Sequence, residues 1–145
     1  IDYFSGGSVN KIDMYSGVGS IGFPIGGTTT LVELDEGNSK MALKNVGALP
    51  IKVVHASTEK ALDFITPDAC IIVDPPRAGL HTDVTQKMID VHPKQIIYLS
   101  CNPSTQARDV KLLVDGGYEI RAFEGYNFFP RTPHIESLIV LELKK

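Results

Sequence analysis

Short apolar, β-branched runs alternate with amphipathic stretches along the chain. Residues 11–15, 29–34, 51–54, 69–73 and 95–99 read as strands. The run at 69–73 is continuously apolar, which predicts burial on both faces of a sheet. Between the strands, residues 20–25 (closed by Gly26 and Gly27), 36–46 (with Gly47 as C-cap), 83–91 and 103–114 (stopped by Gly116 and Gly117) read as helices. Two late strands follow, at 119–123 and 136–143. A βαβα series of this kind predicts an α/β fold, a parallel sheet covered by helices, with an antiparallel pair at its C-terminal end. Residues 1–10 fit the pattern worst and read as an irregular stub ahead of one domain spanning 11–145. No internal repeat, low-complexity tract or interdomain linker interrupts that domain.

Cys101 is the most informative residue. It lies in Ser100-Cys101-Asn102-Pro103, directly after an apolar strand. Asn102 suits a helix N-cap and Pro103 the first helical position. Cys101 is therefore predicted at the C-terminal tip of a strand and the N-terminal end of a helix. α/β sheets place ligands there, and orphan N–H groups and the helix dipole favour an anionic sulfur. Cys70, inside an apolar strand, reads as core packing. His55, His81 and His92 are isolated and read as surface residues.

Three further segments carry candidate chemistry. In the first, Gly17, Gly19 and Gly22 follow a strand with dinucleotide-type spacing, and Glu33 ends the next strand, where a carboxylate can hold ribose hydroxyls. This spacing suits a nicotinamide cofactor and S-adenosylmethionine alike; Asp13 ahead of the glycines favours the methyl donor. In the second, Asp74-Pro75-Pro76-Arg77 leaves a buried strand, and the two prolines stiffen the exit of Asp74. Amino-group methyltransferases carry an aromatic residue after a related Pro-Pro turn to stack on the target base. Arg77 at that position argues against an exocyclic amine as acceptor. In the third, His134 and Glu136 open the last strand, where a carboxylate could serve as general base.

Composition narrows the setting. The 145 residues are 43% hydrophobic and 21% charged, with a net charge of −3, which suits a globular domain and not a disordered one. An acidic balance is a poor basis for unaided RNA binding, which draws on neutralising phosphates. Two cysteines make no disulfide framework, and neither has metal-type spacing, which points to a reducing cytoplasm. No apolar run reaches the length of a membrane span. The chain opens on Ile1, not Met, and so reads as a fragment or a processed chain.

Asp-Pro-Pro-Arg-x-Gly at 74–79, Ser-Cys-Asn-Pro-x-Thr at 100–105 and Pro-x-Thr-x-His-x-Glu at 130–136 occur here in that order. In this combination, from Lys11 to the C-terminus, the chain resembles the catalytic domain of the RNA (uracil-5-)-methyltransferases. The resemblance implies a Rossmann-like class I methyltransferase fold, S-adenosylmethionine as cofactor, no metal, and a uridine in tRNA or rRNA as substrate. It implies Cys101 as nucleophile and Glu136 as base. It assigns Tyr15, Gly17, Gly19, Ser20, Glu33, Ser57 and Asp74 to the cofactor. The family carries an upstream Phe-x-Gln element, and many members carry an RNA-binding β-barrel or an iron–sulfur cluster. None of these has a counterpart here, so RNA binding is expected to need an absent domain. The chain is expected to be a monomer. Two alternatives stand beside this reading: a nicotinamide-dependent oxidoreductase domain, and a fragment that keeps the fold without activity.

Overall fold

The structure is a computed structural model, and it describes Phe4, residues 10–128, 130–132 and 134–144. The expected stub at 1–10 therefore falls mostly outside the described residues. Seven strands form one sheet: β1 (Lys11–Met14), β2 (Thr28–Glu33), β3 (Lys52–His55), β4 (Cys70–Val73), β5 (Gln95–Ser100), β6 (Tyr118–Tyr126) and β7 (Glu136–Leu143). The α-helices bounded within the described residues are α1 (Glu36–Val46), α2 (Thr82–Val91) and α3 (Pro103–Asp115). The strand order is β3-β2-β1-β4-β5-β7-β6. β1 to β5 pair in parallel, and β7 runs antiparallel to both β5 and β6. The α/β class, the mainly parallel sheet and the C-terminal antiparallel pair are thus as the alternation predicts.

Burial follows the pleat. In β4, Ile71 and Val73 pack into the cluster that holds Met88, Tyr98, Leu113 and Tyr118. Cys70 and Ile72 point the other way, into a cluster with Ile25, Ile97 and Leu138. Both faces are covered, which explains the uninterrupted apolar run. Cys70 is fully buried, and its Sγ donates to Gln95 Oε1 at 3.3 Å. Burial pushes its thiol up to about 11, as befits a core residue. α1 lays Ala42 and Val46 on Leu31, with Asp35 capping its start by accepting from Asn38 N and Gly47 ending it at φ +54°.

One predicted element is absent. Residues 20–25 form successive turns, with Phe23 N donating to Gly19 O and Ile25 N to Gly22 O. Pro24 has no N–H to continue a helix, and Gly22, Gly26 and Gly27 weaken one further. Gly22 also lies hard against β1: a Cβ there would sit 2.6 Å from Asp13 Oδ2 and 2.6 Å from Leu31 Cδ2. The segment therefore hugs the sheet as a loop. Elsewhere the elements at 36–46 and 136–143 have the expected ends, and the other ends differ by at most three residues.

Candidate active site

Strand register gathers the motifs at one edge. Met14 pairs with Val73, and Val73 with Tyr98, so β1, β4 and β5 deliver Tyr15, Asp74 and Cys101 to the carboxyl ends of the sheet. The strand order reverses between β1 and β4, the position at which open α/β sheets form a ligand crevice. β7 enters from the same edge. Ser100 pairs with Ser137 and Tyr126 with Glu136, which brings Glu136 beside the end of β5.

Two clefts result. One, of about 350 Å³, is lined by Tyr15, Glu33, Ser57, Glu59, Asp74 and Pro76 among others. The second, of about 460 Å³, is lined by Asp74, Leu99, Cys101, Tyr126, Phe128, Glu136, Ser137 and Leu138. Asp74 lies in both walls. It is exposed to the clefts, but their walls still desolvate it, and its pKa is raised first by that burial and then by the charge of Glu136.

Glu33 ties the glycine loop to the start of α1. Glu33 Oε2 accepts from Gly17 N at 2.7 Å and Oε1 from Asp35 N at 2.6 Å. Gly17 and Gly19 take φ +56° and +83°, which side chains other than glycine adopt only with strain. Ser20 is exposed on the loop. Tyr15 sits at φ +68° with its hydroxyl accepting from His81 N at 3.4 Å; burial raises its pKa. Beneath the loop, Asp13 is fully buried, and neither carboxylate oxygen has a hydrogen-bond partner. Burial pushes its pKa up to about 7, opposed by the nearby Gly22 amide and reinforced by Asp74 and Glu33. That amide lies close enough to act on the charge but outside hydrogen-bonding geometry. Ser57 Oγ is likewise buried near the Glu59 carboxylate without reaching hydrogen-bonding geometry.

Cys101 is half-buried with a free thiol, immediately before the α3 cap. Asn102 Oδ1 accepts from Ser104 N at 3.2 Å, as the Asn-Pro pair predicts. Polar contacts that the sequence reading did not assign brace this corner. Asn102 Nδ2 and Thr105 Oγ1 both donate to the Arg77 carbonyl, at 3.0 and 3.1 Å. Gln106 Nε2 donates to the carbonyls of Tyr98 (2.9 Å) and Ser137 (3.2 Å), tying α3 to β5 and to β7 beside Glu136. Asp109 Oδ2 accepts from Leu80 N and Tyr98 OH, both at 2.8 Å, while Oδ1 pairs with Arg108. A usable signal was present: Asn102, Thr105, Gln106 and Asp109 follow the i, i+3, i+4, i+7 spacing of a buried helix face, but with polar residues.

The histidines each find a local place. His81 caps α2 by accepting from Asp83 N. His55 contacts the Leu34 carbonyl at 2.9 Å. His92 ends α2 and stacks on Tyr118. His134 Nδ1 meets Arg77 Nη2 at 3.3 Å. Phe129 and Pro133 of the third motif lie outside the described residues.

A sheet of this order with a crevice at β1 and β4 defines the class of methyltransferase-like α/β folds. Within that class, residues 61–144 match the tRNA (uracil-5-)-methyltransferase family, and the chain belongs to that family. It is 37% identical over 149 aligned positions to an uncharacterized RNA methyltransferase of Listeria monocytogenes, covering 95% of this chain and 32% of that protein. A second RNA methyltransferase, from Fusobacterium nucleatum, is 36% identical over 92% of this chain and 31% of its own length. The chain thus spans about a third of these relatives. Among solved structures, the Pyrococcus abyssi tRNA (uracil-54, C5)-methyltransferase in complex with S-adenosyl-L-homocysteine superposes with a TM-score of 0.85 at 34% identity. That match covers 97% of this chain and 36% of the other. Precorrin-6y C5,15-methyltransferase from Geobacter metallireducens shares the fold alone, with a TM-score of 0.70 at 15% identity.

Proposed function

We propose that the protein carrying this chain transfers a methyl group from S-adenosylmethionine to carbon 5 of a uridine in tRNA or rRNA, with Cys101 as nucleophile and Glu136 as base. The observation that carries this reading is the single cleft shared by Cys101 and Glu136, adjoining a second cleft through Asp74.

The second cleft fits the donor. Glu33 has carboxylate lone pairs left for ribose hydroxyls, and Ser57 Oγ is a buried polar group awaiting a partner. Tyr15 and Asp74 complete the walls, while Gly17 and Gly19 let backbone approach closely. S-adenosylmethionine supplies an electrophilic methyl group when bound.

The chain's own residues supply the rest. Uracil carbon 5 is a weak nucleophile. The Cys101 thiolate adds to carbon 6, and the displaced π electrons move to the carbon-4 oxygen as an enolate, making carbon 5 nucleophilic. Once carbon 5 is methylated, Glu136 takes its proton. The electrons re-form the ring double bond, and the carbon 6–sulfur bond breaks to release Cys101. The target base must leave its stack to enter such a cleft. With a net charge of −3, the grip on phosphates belongs mainly to another part of the protein.

The test is methyl transfer by the full-length protein to tRNA and rRNA transcripts, with 5-methyluridine detected by mass spectrometry. Cys101→Ala should abolish the product while adenosylhomocysteine binding, followed by calorimetry, persists. Near wild-type methylation by Cys101→Ala would overturn the mechanism.

A further inference from the structure

Tyr126 and Phe128 form a stacked pair, with ring centroids 5.7 Å apart and planes at 4°, on the wall of the cleft that holds Cys101 and Glu136. Phe128 is 66% exposed and Tyr126 37%. Tyr126 is anchored from behind: its hydroxyl donates to the Glu124 carboxylate two residues back on β6. Arg77, on the loop after β4 that Asp74 begins, carries a guanidinium that meets His134. Nothing in the donor cleft or in the proposed chemistry uses these two rings.

Resting on the RNA-methylation reading, we propose that Phe128, backed by Tyr126, is a stacking platform for an unpaired RNA base that flanks the target uridine. Three features select this occupant. The target ring itself must lie between Cys101 and Glu136, because its carbons 6 and 5 react with them. Phe128 lies two residues past the end of β6, where Tyr126 is the residue paired with Glu136, so the platform sits outward of the reacting ring. The ring spacing and parallel planes make an offset stack, which is closed to insertion, so a base caps the free face of Phe128. The Glu124 carboxylate that accepts from the Tyr126 hydroxyl repels phosphate, which favours a base over the RNA backbone at this position. Arg77 occupies the loop position where amino-group methyltransferases carry their stacking aromatic; here the aromatic surface is supplied from β6 and the segment after it.

The experiment uses the full-length protein and short single-stranded RNAs with one uridine. The neighbouring nucleotide on either side is adenosine or an abasic residue. Affinity is read by fluorescence anisotropy at fixed salt, and methyl incorporation is recorded in parallel. Removing the flanking base on one side should weaken wild-type binding about 5- to 150-fold, the range of base–aromatic stacking. Phe128→Leu should weaken the adenosine-flanked RNA by a similar factor and leave the abasic RNA unaffected, with thermal stability unchanged. Phe128→Trp should restore the adenosine-flanked affinity. A loss shared equally by both RNAs, or indifference to Phe128, overturns the platform. Indifference accompanied by altered sedimentation of Phe128→Leu assigns the rings to a protein contact instead and also overturns it. Absence of 5-methyluridine in every RNA counts against the methylation reading alone, because the flanking-base effect is read from binding.

Discussion

Asn102 Nδ2 donates to the Arg77 carbonyl oxygen at 3.0 Å, joining the start of α3 to the loop that follows β4. Cys101 precedes Asn102 in the chain, and Asp74 begins the Arg77 loop. The proposed nucleophile and the residue shared by both clefts are therefore braced against each other through a pair of side chain–backbone bonds, the second from Thr105.

That brace predicts a split between stability and turnover. Asn102→Ala removes the helix cap and the bond to Arg77, and should cost about 1–2 kcal/mol. Thr105→Val should cost about 1 kcal/mol. Both should lower single-turnover rate while changing donor affinity little, since Tyr15, Glu33 and Ser57 are untouched. Urea unfolding and single-turnover methylation of the full-length variants check this.

Glu136→Gln should leave addition and methylation possible, because both precede proton removal. Elimination then stalls, and a methylated adduct should remain on Cys101. A denaturation-resistant protein–RNA complex should accumulate in this variant and vanish when Cys101 is also replaced. Normal turnover without a trapped adduct would move the role of base to another residue, with His134 next in line.

Asp13 predicts a pH dependence of stability. Its folded pKa is pushed up to about 7 from 3.8, so between those values the folded chain binds more protons than the unfolded one. Stability contributed by this group is therefore full below pH 3.8, falls as pH rises, and is lost above about 7. Across the window the loss is about 4 kcal/mol. Asp13→Asn cannot ionise. Urea unfolding at pH 5 and pH 8 should show the variant gaining on wild type as pH rises.

Gly22→Ala should destabilise the glycine loop. The new Cβ would meet Asp13 Oδ2, Asp13 Cβ and Leu31 Cδ2 at 2.6–2.8 Å, an overpacking that costs about 1–3 kcal/mol. Because the loop must shift away from β1, adenosylhomocysteine affinity should fall with it. Thermal unfolding and calorimetry on the same preparation test both effects.

Local chemistry made much of this legible. β-Branched runs, Asn-Pro at a helix start and Gly47 after α1 act over a few residues, so they can be read in a line. The helix expected at 20–25 failed on both counts: Pro24 and the glycines oppose it locally, and Gly22 is pressed against Asp13 and Leu31 from distant parts of the chain. The polar face of α3 was passed over because its partners, the carbonyls of Arg77, Tyr98 and Ser137, are backbone atoms that any sequence would supply.

The sequence by itself determined the α/β alternation, the strand-end position of Cys101 and the family motifs, because strand burial and helix capping depend on neighbouring residues. Only the tertiary structure decided that Glu136 shares a cleft with Cys101. That arrangement depends on the antiparallel register of β7, Ser100 opposite Ser137, and a slip of one residue would turn every β7 side chain to the other face. It also decided that Asp74 joins two clefts and that Tyr126 and Phe128 rim the one that holds the thiol. These are contacts between segments distant in sequence, fixed by how the sheet packs and pairs.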